Sequence, residues 1–291
     1  MPRSINEGFG DFLAKLKATA SESDAAKQHR ASIEACLKSN FGLKRFARIG
    51  SFGNGTSISG YSDVDYLASI PTDQLTQSST YSLAKVRNAL DARFPATDVR
   101  VNCPAVAVPF GKYRSEDTEV VPADYVQELN GFKVYEIADG DDGWMRISPD
   151  AHNSYVAKVD ATLSGRLKPL IRFVKAWKFI RNVPISSFYL EMRVAKYAEG
   201  ESSIVYDIDL MRVLRSLWDH QFARMQDPTG FSGYISACKT EAQEKDALSK
   251  LSTATARAEK AVAARSAGDI SDAFDWWRLV YDDKFPTYYY S

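Results

Sequence analysis

The run GSFGNGTSISGYSDVDY, residues 50–66, constrains the fold more than any other part of the chain. Its glycines permit a tight loop, and apolar strand-like segments flank it, FARIG before the loop and VDYLASI after it. Asp63 and Asp65 lie two residues apart in the second strand, so their side chains emerge from the same face. The sequence therefore predicts strand, tight loop, strand, with two carboxylates on one face beside the loop.

This combination suits phosphate chemistry. Gly50 and Ser51 allow backbone N–H groups and a hydroxyl to approach phosphate oxygens closely. Asp63 and Asp65 are hard oxygen ligands suited to Mg²⁺ or Mn²⁺, and they can bridge two ions about 3.5–4 Å apart. Such ions neutralise a triphosphate and activate an attacking hydroxyl for in-line displacement. Glycine-rich loops and DxD pairs are each common in ordinary turns, so the combination at this spacing carries the prediction. The P-loop pattern GxxxxGK[ST] is absent.

The surrounding sequence predicts an α/β (α+β) unit. The first forty residues carry apolar side chains at helical spacing and read as two helices, or as one helix broken near Ser21. Residues 80–94 predict a helix ended by Pro95. Strands are predicted near 98–103, 105–110 and 118–123, with the charged turn GKYRSED between the last two.

Past Trp144 the pattern becomes mainly helical. Apolar residues at helical spacing predict one helix after another, and we find no repeat, linker or low-complexity segment. We therefore expect two halves, 1–150 with the strands and the N-terminal helices and 151–291 as a helical lobe, with the active site in a cleft between them.

Four stretches resemble one enzyme family. GSFGNGT followed by SDVDY resembles the GS…DxD signature of the polymerase-β nucleotidyltransferase superfamily. TEVVPA (118–123), LKPLIRFVKAWK (167–178) and ISSFYLEM (185–192) are similar to segments of oligoadenylate synthases and of the bacterial CD-NTases, relatives of cyclic GMP-AMP synthase. The resemblance implies a polymerase-β-like nucleotidyltransferase core with a mixed sheet, packed on a C-terminal helical lobe.

The resemblance also assigns roles to residues. It implies that Gly50 and Ser51 hold the donor triphosphate and that Asp63 and Asp65 ligate both metal ions. In the later segments, it implies that Lys175 and Ser187 contact the phosphates and that Phe188 stacks on a base. Asn153, at the start of a spine helix, would face a nucleobase. The alternative interpretations are a surface lysine for Lys175, an N-cap for Ser187 and a core aromatic for Phe188.

The third acid departs from the family pattern. The family usually has aspartate in a DVVPA-like context, whereas this chain has Glu119 at the matching place. The extra methylene shifts the carboxylate by one carbon–carbon bond, which changes the metal geometry and the placing of the acceptor hydroxyl. Asp117 belongs to the same strand face and is the alternative third ligand.

The resemblance predicts a cyclic-oligonucleotide synthase that joins nucleoside triphosphates, releases pyrophosphate and activates a separate effector in antiphage defence. Two other functions stay open: nucleotide transfer to an RNA 3′ end or to a protein, and a degenerate site that only binds nucleotide. Glu119 is the residue that raises the last possibility.

Composition limits the kinds of partner and the cellular location that we expect for this protein. The formal net charge is zero, which argues against a protein that tracks long nucleic acid. Three scattered cysteines without a CxxC pair and three dispersed histidines predict reduced thiols and no zinc site. Without a signal-peptide core or an apolar run long enough to span a membrane, we expect a cytoplasmic protein. We also expect it to be a monomer. The aromatic tail KFPTYYYS is expected to pack on its own domain.

Overall fold

The computed structural model describes residues 4–17, 20–110 and 116–289. Residues 111–115 of the turn GKYRSED and the last two residues of the tail lie outside this description. The helices are α1 (Ile5–Leu16), α2 (Ala20–Phe41), α3 (Gly50–Asn54), α4 (Ser79–Arg93), α5 (Pro149–Thr162), α6 (Leu167–Ile180), α7 (Ser187–Ala198), α8 (Tyr206–Asp219), α9 (Glu241–Ser266) and α10 (Ile270–Val280). The strands are β1 (Arg45–Arg48), β2 (Val64–Ser69), β3 (Arg100–Asn102), β4 (Ala105–Phe110), β5 (Glu116–Leu129), β6 (Phe132–Ala138), β7 (Trp144–Ile147), β8 (Met225–Gln226) and β9 (Tyr234–Ile235).

A seven-stranded mixed sheet carries the DxD run. Its main order is β1–β2–β5–β4–β3, with β6 added to the far half of β5 and β7 added to β6. The strands β2 and β5 are parallel, and the other neighbours are antiparallel. The α/β class and the mixed sheet predicted from the sequence are confirmed.

Alternation along the strands separates the two faces of the sheet. In β2, Val64, Tyr66 and Ala68 join a large core with residues of α2 and α4, including Leu37 and Leu90. Asp65 and Leu67 belong to the other face, where Leu67 packs in a smaller cluster with Val121, Ala105 and Tyr135. The period of two therefore leaves the carboxylates on the face opposite the large core.

The second half of β5 and the strands β6 and β7 were not predicted from the sequence. Tyr125, Val126 and Leu129 are exposed along the second half of β5, so this segment lacks the continuous buried pattern that marks 118–123. The turn between β5 and β6 is Asn130-Gly131, with positive φ at both residues, as a type I′ hairpin requires. That dipeptide was the available sequence signal.

Helices dominate the rest of the chain, as predicted. Most of α6 is buried, because its apolar residues recur on successive turns. Phe9 of α1 packs at 4.9 Å from Phe173 and 5.3 Å from Trp277 between ring centroids, and Phe12 packs at 4.5 Å from Tyr281. Edge-to-face and tilted ring pairs of this kind add to the stabilisation from apolar burial.

Residue contacts divide the described chain into two units, residues 20–110, 116–155 and 229–233 in one, and residues 4–17, 156–228 and 234–289 in the other. The first contains the mixed sheet and the second is mainly helical. The N-terminal helix α1 belongs to the helical unit, a difference from the expected grouping, because Phe9 and Phe12 pack among its aromatic residues.

Two smaller predictions can be compared with the structure. In the tail, Phe285 is buried and the Tyr288 ring lies 5.4 Å from that of Phe274, so this part of the tail packs on its own unit as expected. No helix in the described ranges is long and apolar enough to cross a membrane.

Candidate active site

The strand pairing places Asp65 and the third acid side by side. Asp65 of β2 and Glu119 of β5 are direct Cα partners in the parallel pair, so both side chains project from the same sheet face. Asp63 precedes the strand by one residue and is exposed, whereas Asp65 and Glu119 are half-buried. The expected neighbourhood of the DxD pair and Glu119 is thus present in the backbone.

Gly50 lies directly against the Asp65 carboxylate. Its φ is +59°, in the left-handed region that favours glycine, and a Cβ built there would lie 2.1 Å from Oδ2 of Asp65. The backbone N–H of Ile49 also donates to the Asp65 carbonyl at 2.9 Å. Only glycine fits this position, because any side chain would displace the Asp65 carboxylate.

The predicted tight loop is in fact the short helix α3. The Ser51 carbonyl accepts hydrogen bonds from the N–H groups of Gly55 and Thr56, the latter at 2.8 Å. Gly55 adopts the left-handed conformation that ends the helix. Glycine-rich composition predicted a loop, and local hydrogen bonding within GSFGNG closed one helical turn instead.

A side chain that the sequence analysis missed contacts the third acid. Nδ2 of Asn102, the last residue of β3, donates to Oε1 of Glu119 at 2.6 Å. A single strand, β4, lies between β3 and β5 in the sheet order, yet the sequence alone does not reveal the pairing register that brings Asn102 to Glu119.

Asp117 keeps a buried carboxylate oxygen without a partner. Its Oδ1 is excluded from solvent and accepts no hydrogen bond from any described residue. It lies two residues before Glu119 on the same face of β5. A buried carboxylate oxygen left unpaired is costly, so this atom marks a place where a cation would be favourable.

The donor set fits divalent cations. Asp63, Asp65, Glu119 and Asp117 offer only hard oxygen ligands, and the missing Cβ of Gly50 leaves room for the Asp65 carboxylate. Among the described residues, no three acidic, histidine or cysteine side chains converge closely enough to form a ready-made metal centre. The hydrogen bond from Asn102 orients the Glu119 carboxylate among these side chains.

Asn153 lies beside α3, in the sheet-bearing unit. Its Nδ2 would be 3.4 Å from a Cβ built on Gly53. One turn earlier in α5, Asp150 forms a bidentate ion pair with Arg45 of β1 at 2.7 and 2.8 Å, and the Tyr135 hydroxyl accepts from the same guanidinium at 2.9 Å. The hydrogen bonds to Asp150 raise the pKa of Arg45 above its ordinary value. This ion pair fixes the first turn of α5 and with it Asn153.

Lys175 is not a surface lysine. Only 1% of its side chain is exposed, and its Nζ pairs with the equally buried Glu191 of α7 at 3.5 Å. Arg172, one turn earlier in α6, is desolvated by burial, which lowers its pKa, with the Glu191 charge acting in the opposite direction. The surface interpretation of Lys175 is wrong, because α6 buries this face among apolar side chains.

The two serines of ISSFYLEM have different roles. Ser186 caps α7 by accepting from the Tyr189 N–H at 3.2 Å, so the N-cap interpretation of Ser187 is wrong. The Ser187 hydroxyl instead accepts a hydrogen bond from Nζ of Lys178 at 2.8 Å. Lys178, one turn after Lys175, is half-buried and was not singled out from the sequence.

Phe188 is not a core aromatic, since 38% of it is exposed. The next residue, Tyr189, occupies the core position, and its burial raises the pKa of its phenol. The hydroxyl of Tyr189 donates to the Ala223 carbonyl at 2.7 Å. The first turn of α7 therefore exposes Phe188 and directs the Ser187 hydroxyl toward Lys178 of α6, while Tyr189 anchors the turn.

Fold and site together describe a nucleotidyltransferase: a mixed sheet with a DxD pair, a third acid on the parallel neighbour strand and a glycine turn against the second aspartate. Residues 3–159 match the family model of the Second Messenger Oligonucleotide or Dinucleotide Synthetase domain. The chain belongs to this family, and the resemblance to bacterial CD-NTases stated from the sequence is confirmed.

Two curated proteins are similar to this chain in sequence, at low identity. A protein of Bacillus cereus (strain VD146) named "Probable cyclic nucleotide synthase" is 23% identical over 258 residues, which cover 81% of this chain and 75% of that protein. A "Cyclic AMP-AMP-AMP synthase" of Acinetobacter sp. (strain ATCC 27244 / 9458) is 26% identical over 204 residues, covering 65% of this chain and 56% of that enzyme. The second match thus spans little more than half of the relative's length.

Solved structures show the same fold. Escherichia coli MS115-1 CdnC with ATP superimposes with a TM-score of 0.75 at 18% identity, covering 96% of this chain and 98% of that one. A mutant of the Vibrio cholerae dinucleotide cyclase DncV in complex with ATP and GTP has a TM-score of 0.74 at 15% identity, covering 99% and 98%. At these identities the likeness concerns the fold.

Proposed function

We propose that this protein joins ribonucleoside triphosphates, without a template, into a cyclic di- or trinucleotide second messenger. The observation that carries the proposal is the approach of Gly50 to Asp65 beside the parallel partner Glu119, which sets a glycine turn against carboxylates on one sheet face. Membership in the synthetase family and the names of the two curated relatives support it.

The proposed reaction is an in-line displacement. A ribose hydroxyl oxygen of one nucleotide forms a bond to the α-phosphorus of another, the bond from that phosphorus to the leaving oxygen breaks, and pyrophosphate departs. We assign the hydroxyl proton to Glu119 as the accepting base, and Gly50 and Ser51 to the donor triphosphate. A last round within the linear di- or trinucleotide, again releasing pyrophosphate, closes the ring.

Asp63, Asp65 and the third acid would hold two Mg²⁺ or Mn²⁺ ions, for which the hard oxygen donors and the unpaired Asp117 oxygen are suited. Such ions supply charge neutralisation of the triphosphate and lower the pKa of the attacking hydroxyl. Asp117 is the alternative to Glu119 as the third ligand.

Nucleotide contacts by the remaining predicted residues belong to the same proposal. Phe188 supports it by its exposure, and Ser187 supports it together with Lys178, whose Nζ donates to the Ser187 hydroxyl. Lys175 would have to exchange Glu191 for a phosphate to act directly. For Asn153, placement beside α3 is the supporting observation.

In the cell we propose that the product activates a separate effector in antiphage defence, with the enzyme acting as a cytoplasmic monomer. The support is the family's name as a second messenger synthetase, since a messenger requires a receiver.

The test is to incubate the protein with the four ribonucleoside triphosphates and Mg²⁺ or Mn²⁺, treat with phosphatase, and identify resistant products by mass spectrometry. We expect small cyclic products from nucleotides alone. The Asp63→Asn, Asp65→Asn double variant should lose them entirely with its melting temperature retained, because an amide keeps the shape of the side chain and loses its charge.

Other outcomes identify the other functions. Products that lengthen on added RNA, or label transferred to protein, would replace cyclisation with a different acceptor. Triphosphate binding without pyrophosphate release would indicate a degenerate site. Full activity in the double variant would remove the central claim.

A further inference from the structure

We infer that Asn102 is a positioning residue for the third carboxylate, and that the pair of Asn102 and Glu119 performs here what a single aspartate does in the usual family pattern. The inference rests on the proposed function. Its starting observation is the hydrogen bond of 2.6 Å from Nδ2 of Asn102 to Oε1 of Glu119. A bond from an amide to an ionised carboxylate is stronger than one between neutral groups.

The sheet register makes this contact a consequence of the fold. Glu119 of β5 pairs with Ala107 of β4, and Ala105, the next residue of β4 on that face, pairs with Asn102 of β3. Both intervening side chains are single methyl groups. The Glu119 side chain can therefore extend diagonally across β4, and a larger residue at either alanine would obstruct it.

The length of glutamate explains why it requires a partner. Glutamate has one more rotatable bond than aspartate, so binding a ligand costs it more conformational entropy. A hydrogen bond from a strand residue restrains the rotamers before the ligand arrives. An aspartate at 119, shorter by one carbon–carbon bond, would not extend as far toward Asn102 and would not need it.

The chemistry of the amide suits this role. Asparagine is neutral and donates without taking the proton that the proposed base must accept. The amide donates to Oε1 of Glu119. Partners that hydrogen-bond a metal-ligating carboxylate are worth roughly 10- to 100-fold in metal affinity or activity when removed.

The experiment measures Mn²⁺ binding in the presence of α,β-methylene-ATP, which is not turned over, by water-proton relaxation. Asn102→Ala is expected to weaken Mn²⁺ binding roughly 10-fold or more, and Asn102→Asp at least as much, because it sets a like charge beside Glu119. In steady-state assays both should lower kcat more than they raise KM for ATP. Gln127→Ala, an exposed amide elsewhere on β5, is the matched control and should change neither.

A double-mutant comparison separates positioning from a general structural role. Measured relative to the Glu119→Asp single variant, adding Asn102→Ala is expected to have no further effect, because the shorter carboxylate does not depend on the amide. Equal loss in both backgrounds, or unchanged Mn²⁺ binding in Asn102→Ala with its melting temperature retained, overturns the inference.

The Asp63→Asn, Asp65→Asn variant distinguishes this inference from the proposed function. If that variant loses Mn²⁺ binding while Asn102→Ala does not, only the role of Asn102 fails. If it binds Mn²⁺ as well as the natural protein does, the proposed metal site fails and the role of Asn102 fails with it.

Discussion

Glycines stand at both ends of α3, Gly50 as its first residue and Gly55 just after its last, and they differ in one contact. Both adopt the left-handed conformation, with φ of +59° at Gly50 and +68° at Gly55. A Cβ on Gly50 would meet the Asp65 carboxylate at 2.1 Å, whereas one on Gly55 would meet nothing within 4 Å. A side chain at either position would therefore strain the backbone, but only a side chain at Gly50 would also clash with the Asp65 carboxylate.

Gly50→Ala and Gly55→Ala form a matched pair of variants. Each should lose roughly 1–2 kcal/mol of stability, the cost of a left-handed alanine. Gly50→Ala should also lose about 100-fold in turnover, because displacing a reacting group by about 1 Å costs that much. Gly55→Ala should keep its turnover. Chemical denaturation and pyrophosphate release measure the two quantities, and similar turnover in both variants would show that the contact with Asp65 does not matter.

At the scale of elements, α6 and α7 are joined by two lysine contacts of different kinds. The pair of Lys175 and Glu191 is buried at both ends. The bond of Lys178 to the Ser187 hydroxyl lies at a half-buried position at the start of α7. Removing one partner of a buried ion pair leaves the other charge uncompensated. A half-buried neutral acceptor such as the Ser187 hydroxyl can instead form a hydrogen bond with water.

Lys175→Met and Lys178→Met should accordingly fail in different ways. Lys175→Met is expected to destabilise the protein by on the order of 3 kcal/mol, because Glu191 loses its ion-pair partner. Lys178→Met should change stability by less than about 1 kcal/mol and raise KM for ATP, through the loss of a positive charge beside Ser187. Thermal unfolding and steady-state kinetics separate the two. A stable Lys175→Met variant with raised KM would instead support the direct phosphate contact.

Across the whole molecule, charge is balanced. The chain has 37 basic and 37 acidic residues, and many of the described charges are paired at the surface, for example Arg215 with Glu259 and Lys250 with Asp246. Binding to long duplex nucleic acid is driven by release of counterions from phosphates neutralised by clustered Lys and Arg. A neutral chain lacks the global potential for it.

We therefore expect catalysis without long nucleic acid. Adding duplex DNA or RNA of increasing length should change the rate of product formation by less than about twofold at physiological salt. Product quantification across a series of duplex lengths and salt concentrations tests this. Stimulation that grows with duplex length and fades with salt would reveal a local basic surface that the neutral total conceals.

The sequence alone determined the α/β class, the helices, the DxD pair and the third acid, because these follow from local spacing: period two puts Asp63 and Asp65 on one face, and TEVVPA forms an apolar strand. Their roles as site residues stay predictions. Tertiary structure decided what depends on register and burial. Strand pairing brought Asn102 to Glu119, and burial of one helix face removed Lys175 from the surface while Lys178 reached Ser187. Contacts between residues distant in sequence cannot be read from a single chain, since many registers satisfy the same hydrophobic pattern.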